Sequence, residues 1–355
     1  MNKDTSNANI ESRAIYMALA GAVGGFGVGV VLFFGSQVSL FERGVSLGFV
    51  ASILGGVVSL LVYIFTAFRH QVTLATSRWA KVRRNTDISS LAFVQALLMF
   101  LSYALIFYVI SQSFRDAHID VWGASSILAI STGFAAYVAY LMAVKMNTVR
   151  VATILALFLL SGTFISMMTA SNPHWWNDHF SSLGAGGGVS GYAFNATLIV
   201  AGLVIVALSK YITDDFRKLQ QTGRIVKKVK ANIIQILLAG IGVALAFVGL
   251  FVYDAFPLIH NTAAFGMAFL FGVIILLLPW LVPGFTAAFF LASYGLIAAL
   301  LISAWLFWGI GYFNLTVFEL VAAAIIFVWL VIFVRHIAAL LQDEGHAGHK
   351  KGVSE

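Results

Sequence analysis

Long apolar segments recur along nearly the whole 355-residue chain, and they constrain its fold more than any other feature. An α-helix advances about 1.5 Å per residue, so crossing about 30 Å of hydrocarbon takes about 20 apolar residues. The chain is 61% hydrophobic and only 10% charged, whereas soluble domains carry about 25% charged residues. The alternating pattern of a transmembrane barrel does not occur. The sequence therefore predicts an all-α fold, a polytopic membrane helical bundle.

We predict about ten transmembrane helices from these segments. Their approximate bounds are 14–35, 47–68, 91–112, 123–144, 151–170, 191–209, 232–253, 262–282, 285–308 and 316–337. We accordingly divide the chain into a cytoplasmic N-terminal tail (1–13), a four-helix unit (14–149), a six-helix unit (150–337) and a disordered cytoplasmic tail (338–355).

Basic residues predict the orientation of these helices. Of the 21 lysines and arginines, only Arg43 and Arg115 fall in loops on the predicted outer side. Cytoplasmic loops are enriched in lysine and arginine, so both termini are predicted inside (N-in/C-in). The net charge of +7 therefore reports membrane topology rather than a nucleic-acid partner. This pattern predicts a multi-pass protein of the bacterial cytoplasmic (inner) membrane.

The predicted outer loops and helix ends carry histidines and carboxylates that form a candidate polar patch. Its members are His118, Asp120, His174, Asp178, His179, Asp254, His260 and Glu319. Glu319 is expected either in an outward-facing polar cavity or at headgroup depth, because a carboxylate deep in the bilayer is costly.

Four of these residues, His174, Asp178, His179 and His260, are weak candidates for a metal site. Imidazole and carboxylate groups bind zinc, and bound zinc activates water for hydrolysis. The opposing interpretation is a set of solvated loop residues. No HExxH pattern, which would supply zinc ligands and a general base, is present. We predict no cofactor, with zinc as the alternative. The absence of cysteine excludes thiolate catalysis and cysteine-ligated metals.

Two further patterns concern packing and lipids. Gly21, Gly25 and Gly29 share one face of the first helix, where small residues allow another helix to approach closely. Lys227, Lys228 and Lys230 end a loop with spaced apolar residues, Phe216 and Leu219 among them. That loop is either a surface helix that binds anionic lipid headgroups or an ordinary cytoplasmic loop.

The stretch "SSLGAGGGVSGYAFNATLIVAGLVIVAL" resembles a bacterial multi-pass membrane family, domain of unknown function 998. The similar positions are a Ser-x-Leu-Gly loop (Ser181 or Ser182, Leu183, Gly184), then Phe194, Asn195 and Gly202, and later Gly249, Leu250, Phe251 and His260. The likeness covers about residues 150–337 and extends faintly to the Frag1/DRAM/Sfk1 membrane families. It implies a six-helix unit with a polar outer face and supplies no activity.

Three functional classes follow. The leading one is a non-enzymatic, lipid-facing envelope or transport-accessory factor whose partners are membrane lipids, with other membrane proteins or a second copy as alternatives. A metal-dependent membrane hydrolase with an outer His/Asp site is the second. The third is a small-molecule transporter with a midplane cavity lined by Gln95, Asn195 and Gln235.

Overall fold

The computed structural model describes residues 7–41, 45–70, 78–114, 117–144, 147–186, 188–221 and 228–351. In chain order the elements are α1 (Asn7–Phe33), β1 (Val38–Ser39), α2 (Leu47–His70), α3 (Arg78–Ser113), β2 (His118–Ile119), α4 (Val121–Val144), α5 (Thr148–Met168), a 3-10 turn (Trp175–Asn177), α6 (Ser182–Ala185), α7 (Val189–Gln221), α8 (Lys228–Leu250), α9 (Pro257–Leu281), α10 (Ala287–Trp308) and α11 (Leu315–Lys351).

Ten helices in these ranges are long and apolar enough to cross a membrane, which confirms the predicted number of spans. The short helix α6 is the exception among the α-helices. The predicted all-α membrane bundle is likewise confirmed, since the two strands are only two residues long. The protein is therefore a multi-pass integral membrane protein.

Helix α7 is longer than the span predicted for it. It continues through Gln221 as one helix, and Phe216 and Leu219 are buried along it. The Phe216 ring stacks on Phe285, with the ring centroids 6.3 Å apart. Phe216 and Leu219, two of the apolar residues that suggested a separate surface helix, therefore pack inside the second half of the chain, whereas Val229 is exposed and Val226 lies outside the described residues.

Helix α11 also exceeds its prediction. It continues to Lys351, so residues 338–351 are helical where the sequence predicted a disordered tail. Ile337 and Leu340 are buried, which extends the packed face of α11 beyond the predicted end of the span. Residues 352–355 of the predicted tail lie outside the described residues.

The chain divides into two compact units, of which the first is Met1–Met146. In this unit α1 packs mainly on α4, and α2 packs on both α3 and α4. The glycine row of α1 faces α4: a Cβ at Gly25 would lie 1.9 Å from Thr132 Oγ1, and one at Gly29 would lie 2.8 Å from Ser125 Cα. A Cβ at Gly21 would be 2.8 Å from the Thr132 carbonyl oxygen. These glycines therefore let two helix backbones approach within the same chain.

The second unit is Asn147–Glu355. In it α7 packs between α5 and α8, α8 packs on α9, and α11 contacts α10, α5 and α7. The α7–α8 crossing is close at Gly202, where a Cβ would lie 2.4 Å from the Gly242 carbonyl oxygen. Because successive spans alternate in direction, the end of α5, the start of α7, the end of α8 and the start of α9 meet at one end of this unit.

Candidate functional site

The loops at that end of the second unit form what we call the polar cap, residues 169–186, 251–256 and 309–314. The first segment follows α5, whose last turn is closed by a hydrogen bond from the Thr169 N–H to the Ile165 carbonyl. It then contains the 3-10 turn and α6 before α7 begins. An Asn314 Nδ2–Trp176 O hydrogen bond of 3.1 Å joins the first and third segments.

His260, at the start of α9, lies beneath the cap and is only 3% exposed. Its Nδ1 is 2.8 Å from the Phe251 carbonyl oxygen, and its Nε2 is 3.1 Å from Ser181 Oγ. Because a carbonyl can only accept, the proton belongs on Nδ1, and Nε2 accepts from the Ser181 hydroxyl. His260 therefore ties the first cap segment to the second.

Glu319, in the first turns of α11, holds the same part of the cap. Its Oε2 accepts the backbone N–H of Phe180 at 2.6 Å and that of Ser181 at 3.4 Å. Its Oε1 lies 3.4 Å from Ser181 Oγ. Backbone donors in a loop need partners when they are shielded from water, so this carboxylate fixes the loop onto α11.

The residues of the Ser-x-Leu-Gly resemblance pack this loop onto α7. Asn195 Nδ2 donates to the Gly184 carbonyl at 2.9 Å, and a Cβ at Gly184 would lie 2.4 Å from Asn195 Oδ1. Leu183 is buried, and the Phe180 and Phe194 rings meet edge to face at 5.0 Å. Asn195 thus serves the cap, and its bond to Gly184 gives it a role other than lining a transport cavity.

A cavity of about 510 Å³ opens among the cap residues. Six of its lining residues matter for its chemistry: Ser171, Asn172, Trp175, Asp178, His179 and Asp254. Its size falls within the range of about 300–1,000 Å³ that is usual for small-molecule sites. Its wall combines two carboxylates, an imidazole and an indole, so it suits a polar or charged group.

His179 lies between the acidic residues and the second cap segment. Its ring centroid is 4.5 Å from that of Tyr253. Burial lowers the pKa of His179 below its ordinary value, although the charges of Asp254 and Asp178 oppose this shift. An unperturbed histidine titrates near pH 6.5, so His179 is mainly neutral at pH 7.

The structure brings together most of the predicted polar patch of the second unit. Asp178, His179 and Asp254 surround the cavity, while His260 and Glu319 form the hydrogen-bond network beneath the cap. His174 is exposed and lies beside Trp176, with centroids 6.3 Å apart. It is not part of the cavity lining.

The other two predicted patch residues belong to the first unit. His118 is opposite Ser39 in the antiparallel pairing of β1 and β2. Asp120 Oδ1 accepts the backbone N–H groups of Trp122 at 2.9 Å and Gly123 at 3.1 Å, and so caps the N-terminus of α4. Both residues therefore have local structural roles.

The geometry gives no support to a metal site at His174, Asp178, His179 and His260. Within the described residues, no three His, Asp or Glu side chains are grouped so that they could hold a metal ion. In addition, both ring nitrogens of His260 already have hydrogen-bond partners.

The lysines predicted to bind anionic lipid lie near the start of α8. Lys227 is outside the described residues, and Lys228 is the first residue of the helix. Lys230 Nζ donates to the Trp280 carbonyl at 2.5 Å and lies 4.9 Å from the centre of the Trp280 ring. Lys230 is therefore engaged within the protein.

Ser181 is a central residue of the cap that its residue type did not predict. It contacts both His260 and Glu319, yet serines are too common in loops for one to be selected by type. Its only sequence signal was its position in the Ser-x-Leu-Gly stretch. Ser171, Asn172 and Trp175 had no comparable signal, because nothing local marks a residue as lining a cavity.

Comparison with known families agrees with that stretch. The model of a family described as "Protein of unknown function (DUF998)" matches residues 151–336, which contain the whole polar cap. Searches of curated proteins and of solved structures gave no match.

Proposed function

The chain belongs to the DUF998 family of proteins of unknown function, and we propose that it is a non-enzymatic, lipid-binding protein of the bacterial cytoplasmic membrane, acting as an envelope or transport-accessory factor. The observation that carries this proposal is the cavity of about 510 Å³ in the polar cap. Its position at the ends of membrane-spanning helices supports the proposal, because helix ends are where a protein can meet lipid headgroups.

Exposed aromatic side chains near the cap support this position. Tryptophan and tyrosine favour the membrane–water interface, because their rings are apolar and carry one polar group. The exposed residues of this kind at the cap end of the second unit are Trp176, Tyr192, Trp305, Trp308 and Tyr312. They suit a cavity at headgroup depth.

We further propose that the cap faces away from the cytoplasm. The segments 151–209 and 231–334, which contain the cap, have no lysine or arginine. In contrast, Arg150 lies in the first turn of α5, and Lys210, Arg217 and Lys218 lie in the half of α7 away from the cap. Basic residues favour the cytoplasmic side.

Cysteine labelling tests this orientation without background, since the natural chain has no cysteine. We expect Ser171→Cys to react with a membrane-impermeant maleimide in intact cells. Lys218→Cys, at an exposed position on α7, is expected to react only after permeabilisation. The opposite pattern would reverse the proposed orientation.

Lipid retention tests the proposed function itself. We expect the full-length protein, purified in mild detergent, to retain lipid that native mass spectrometry detects. Ser171→Trp should lose most of this lipid, because Ser171 is exposed and lines the cavity, so an indole there fills the space without disturbing the core.

Asn177→Trp is the matched control. Asn177 is also exposed in the cap, but it does not line the cavity. Equal lipid retention by the wild type and both variants would show that the cavity is not the lipid site. Loss in both variants would indicate a general disturbance of the cap and would count against the proposal.

A further inference from the structure

Every aspartate, glutamate, lysine or arginine in the two segments that form the cavity is acidic. Across residues 151–209 and 231–334 the acidic residues are Asp178, Asp254 and Glu319, and these segments contain no lysine or arginine. Glu319 is engaged with the backbone of Phe180 and Ser181 beneath the cap. The two aspartates are exposed and line the cavity. The cavity is therefore a concave surface with two carboxylates, and the two segments that form it contribute no basic side chain.

The imidazole in the wall does not offset this charge at pH 7. Because burial lowers the pKa of His179 below the ordinary value of about 6.5, the ring is mainly in its neutral form there. An anionic ligand would thus meet two carboxylates without a compensating cation. Electrostatic repulsion of this kind selects against phosphate or carboxylate groups.

The aromatic residues of the cavity region add an attraction for cations. Trp175 lines the cavity, and the ring of Tyr253 stands against His179. A cation over the face of an indole or phenol ring is attracted by the ring quadrupole. Acidic side chains combined with an aromatic wall form a recognised type of site for ammonium groups.

Resting on the lipid-binding function proposed above, we propose that the cavity selects a ligand that carries an ammonium group. Two sources have this chemistry, an amine-bearing lipid headgroup and a free small amine. In either case Asp178 and Asp254 neutralise the ammonium charge and Trp175 covers one side of it.

The expected strength of the effect follows from the charges. Asp178 and Asp254 are exposed, so water screens their attraction for a cation, and losing one carboxylate is expected to weaken binding about fivefold. Acidification is likewise expected to weaken binding of the ammonium group. Protonating His179 places a positive charge beside Asp178, Asp254, Tyr253 and His260, so cation binding should weaken as the pH falls below about 6.5, the ordinary pKa of histidine.

The test compares the full-length wild type with Asp178→Asn, Asp254→Asn and the double variant. Isothermal titration calorimetry in detergent uses ethanolamine, with glycerol and inorganic phosphate as reference ligands. Native mass spectrometry from nanodiscs compares retained phosphatidylethanolamine with phosphatidylglycerol. Asp120→Asn is the control, because it removes a carboxylate of the first unit at a helix cap where asparagine is equally suited.

We expect the amine ligand to bind in preference to glycerol and phosphate, each single variant to weaken its binding about fivefold, and the double variant to abolish the preference. Binding of free ethanolamine identifies a small amine as sufficient, whereas a preference confined to the lipid assigns the ligand to the membrane. An unchanged preference in the double variant, or tighter phosphate binding by the wild type, would overturn the inference. Lipid that is retained without regard to headgroup would overturn it while leaving the proposed lipid-binding function intact.

Discussion

Replacing Gly25 by leucine is expected to prevent correct folding of the first unit. A Cβ at this position would lie 1.9 Å from Thr132 Oγ1 and 3.1 Å from the Leu128 carbonyl oxygen. Thr132 cannot turn away freely, because its hydroxyl is 2.9 Å from the carbonyl oxygens of both Gly21 and Leu128. Overpacking a filled interface costs about 1–3 kcal/mol or more. Size-exclusion chromatography should show loss of the monodisperse protein.

Gly24→Leu is the matched control for this prediction. Gly24 is the neighbouring residue in α1, and a Cβ there meets no atom within 4 Å. The two substitutions therefore change helix propensity and apolarity equally and differ only in the contact with α4. The smaller pair Gly25→Ala and Gly25→Ala with Thr132→Ala tests the cause, since the second change removes the clashing oxygen. Equal behaviour of Gly24→Leu and Gly25→Leu would contradict the packing described for α1 and α4.

Replacing Glu319 by alanine is expected to loosen the polar cap. The change removes the acceptor for the Phe180 N–H and weakens the hold on Ser181. A shielded donor without a partner costs about 1–3 kcal/mol. Hydrogen–deuterium exchange measured by mass spectrometry should show faster exchange in residues 171–186, with the helices that carry the cap unchanged.

Two further variants separate hydrogen bonding from charge and from general surface effects. Glu319→Gln keeps an oxygen acceptor of similar reach, so slower exchange than in the alanine variant is expected. His174→Ala changes an exposed residue of the same cap and should leave the exchange unaltered. Faster exchange in His174→Ala, or none in Glu319→Ala, would contradict the role assigned to the carboxylate.

The contacts behind these two predictions differ in how far the sequence alone could predict them. The spacing of Gly21, Gly25 and Gly29 is local and visible in the sequence, because glycines four residues apart must share a helix face. That spacing indicated a close helix contact but left its partner open. The partner, α4, depends on how four helices pack together, and it became clear only from Thr132 and Ser125 in the structure.

The hydrogen-bond network of the polar cap could be predicted from the sequence only in part. Its members are far apart in the chain: Ser181 and His260 are separated by 79 residues, and Ser181 and Glu319 by 138. His260 and Glu319 were recognised as unusual residues for their positions, but their shared partner was not. A hydrogen bond between side chains forms only when donor and acceptor are positioned to within a few tenths of an ångström, and residue types alone do not specify such positions.

The ends of the helices also depend partly on the local sequence and partly on tertiary packing. The sequence predicted the apolar core of each span, yet α7 and α11 continue beyond theirs. Hydropathy records where the bilayer core ends. The end of a helix depends in addition on whether residues such as Phe216 and Leu340 find packing partners beyond that core.

The sequence by itself determined the fold class and the number of membrane-spanning helices, because the hydrocarbon core imposes a length and an apolar composition on each segment separately. It also identified the family through a short stretch of ordered residue types. Only the tertiary structure decided that Asp178, His179 and Asp254 share one cavity while His260 and Glu319 brace the loop beneath it. The physical reason is that a binding surface is made by residues from several helix ends, and their meeting depends on the packing of the whole unit.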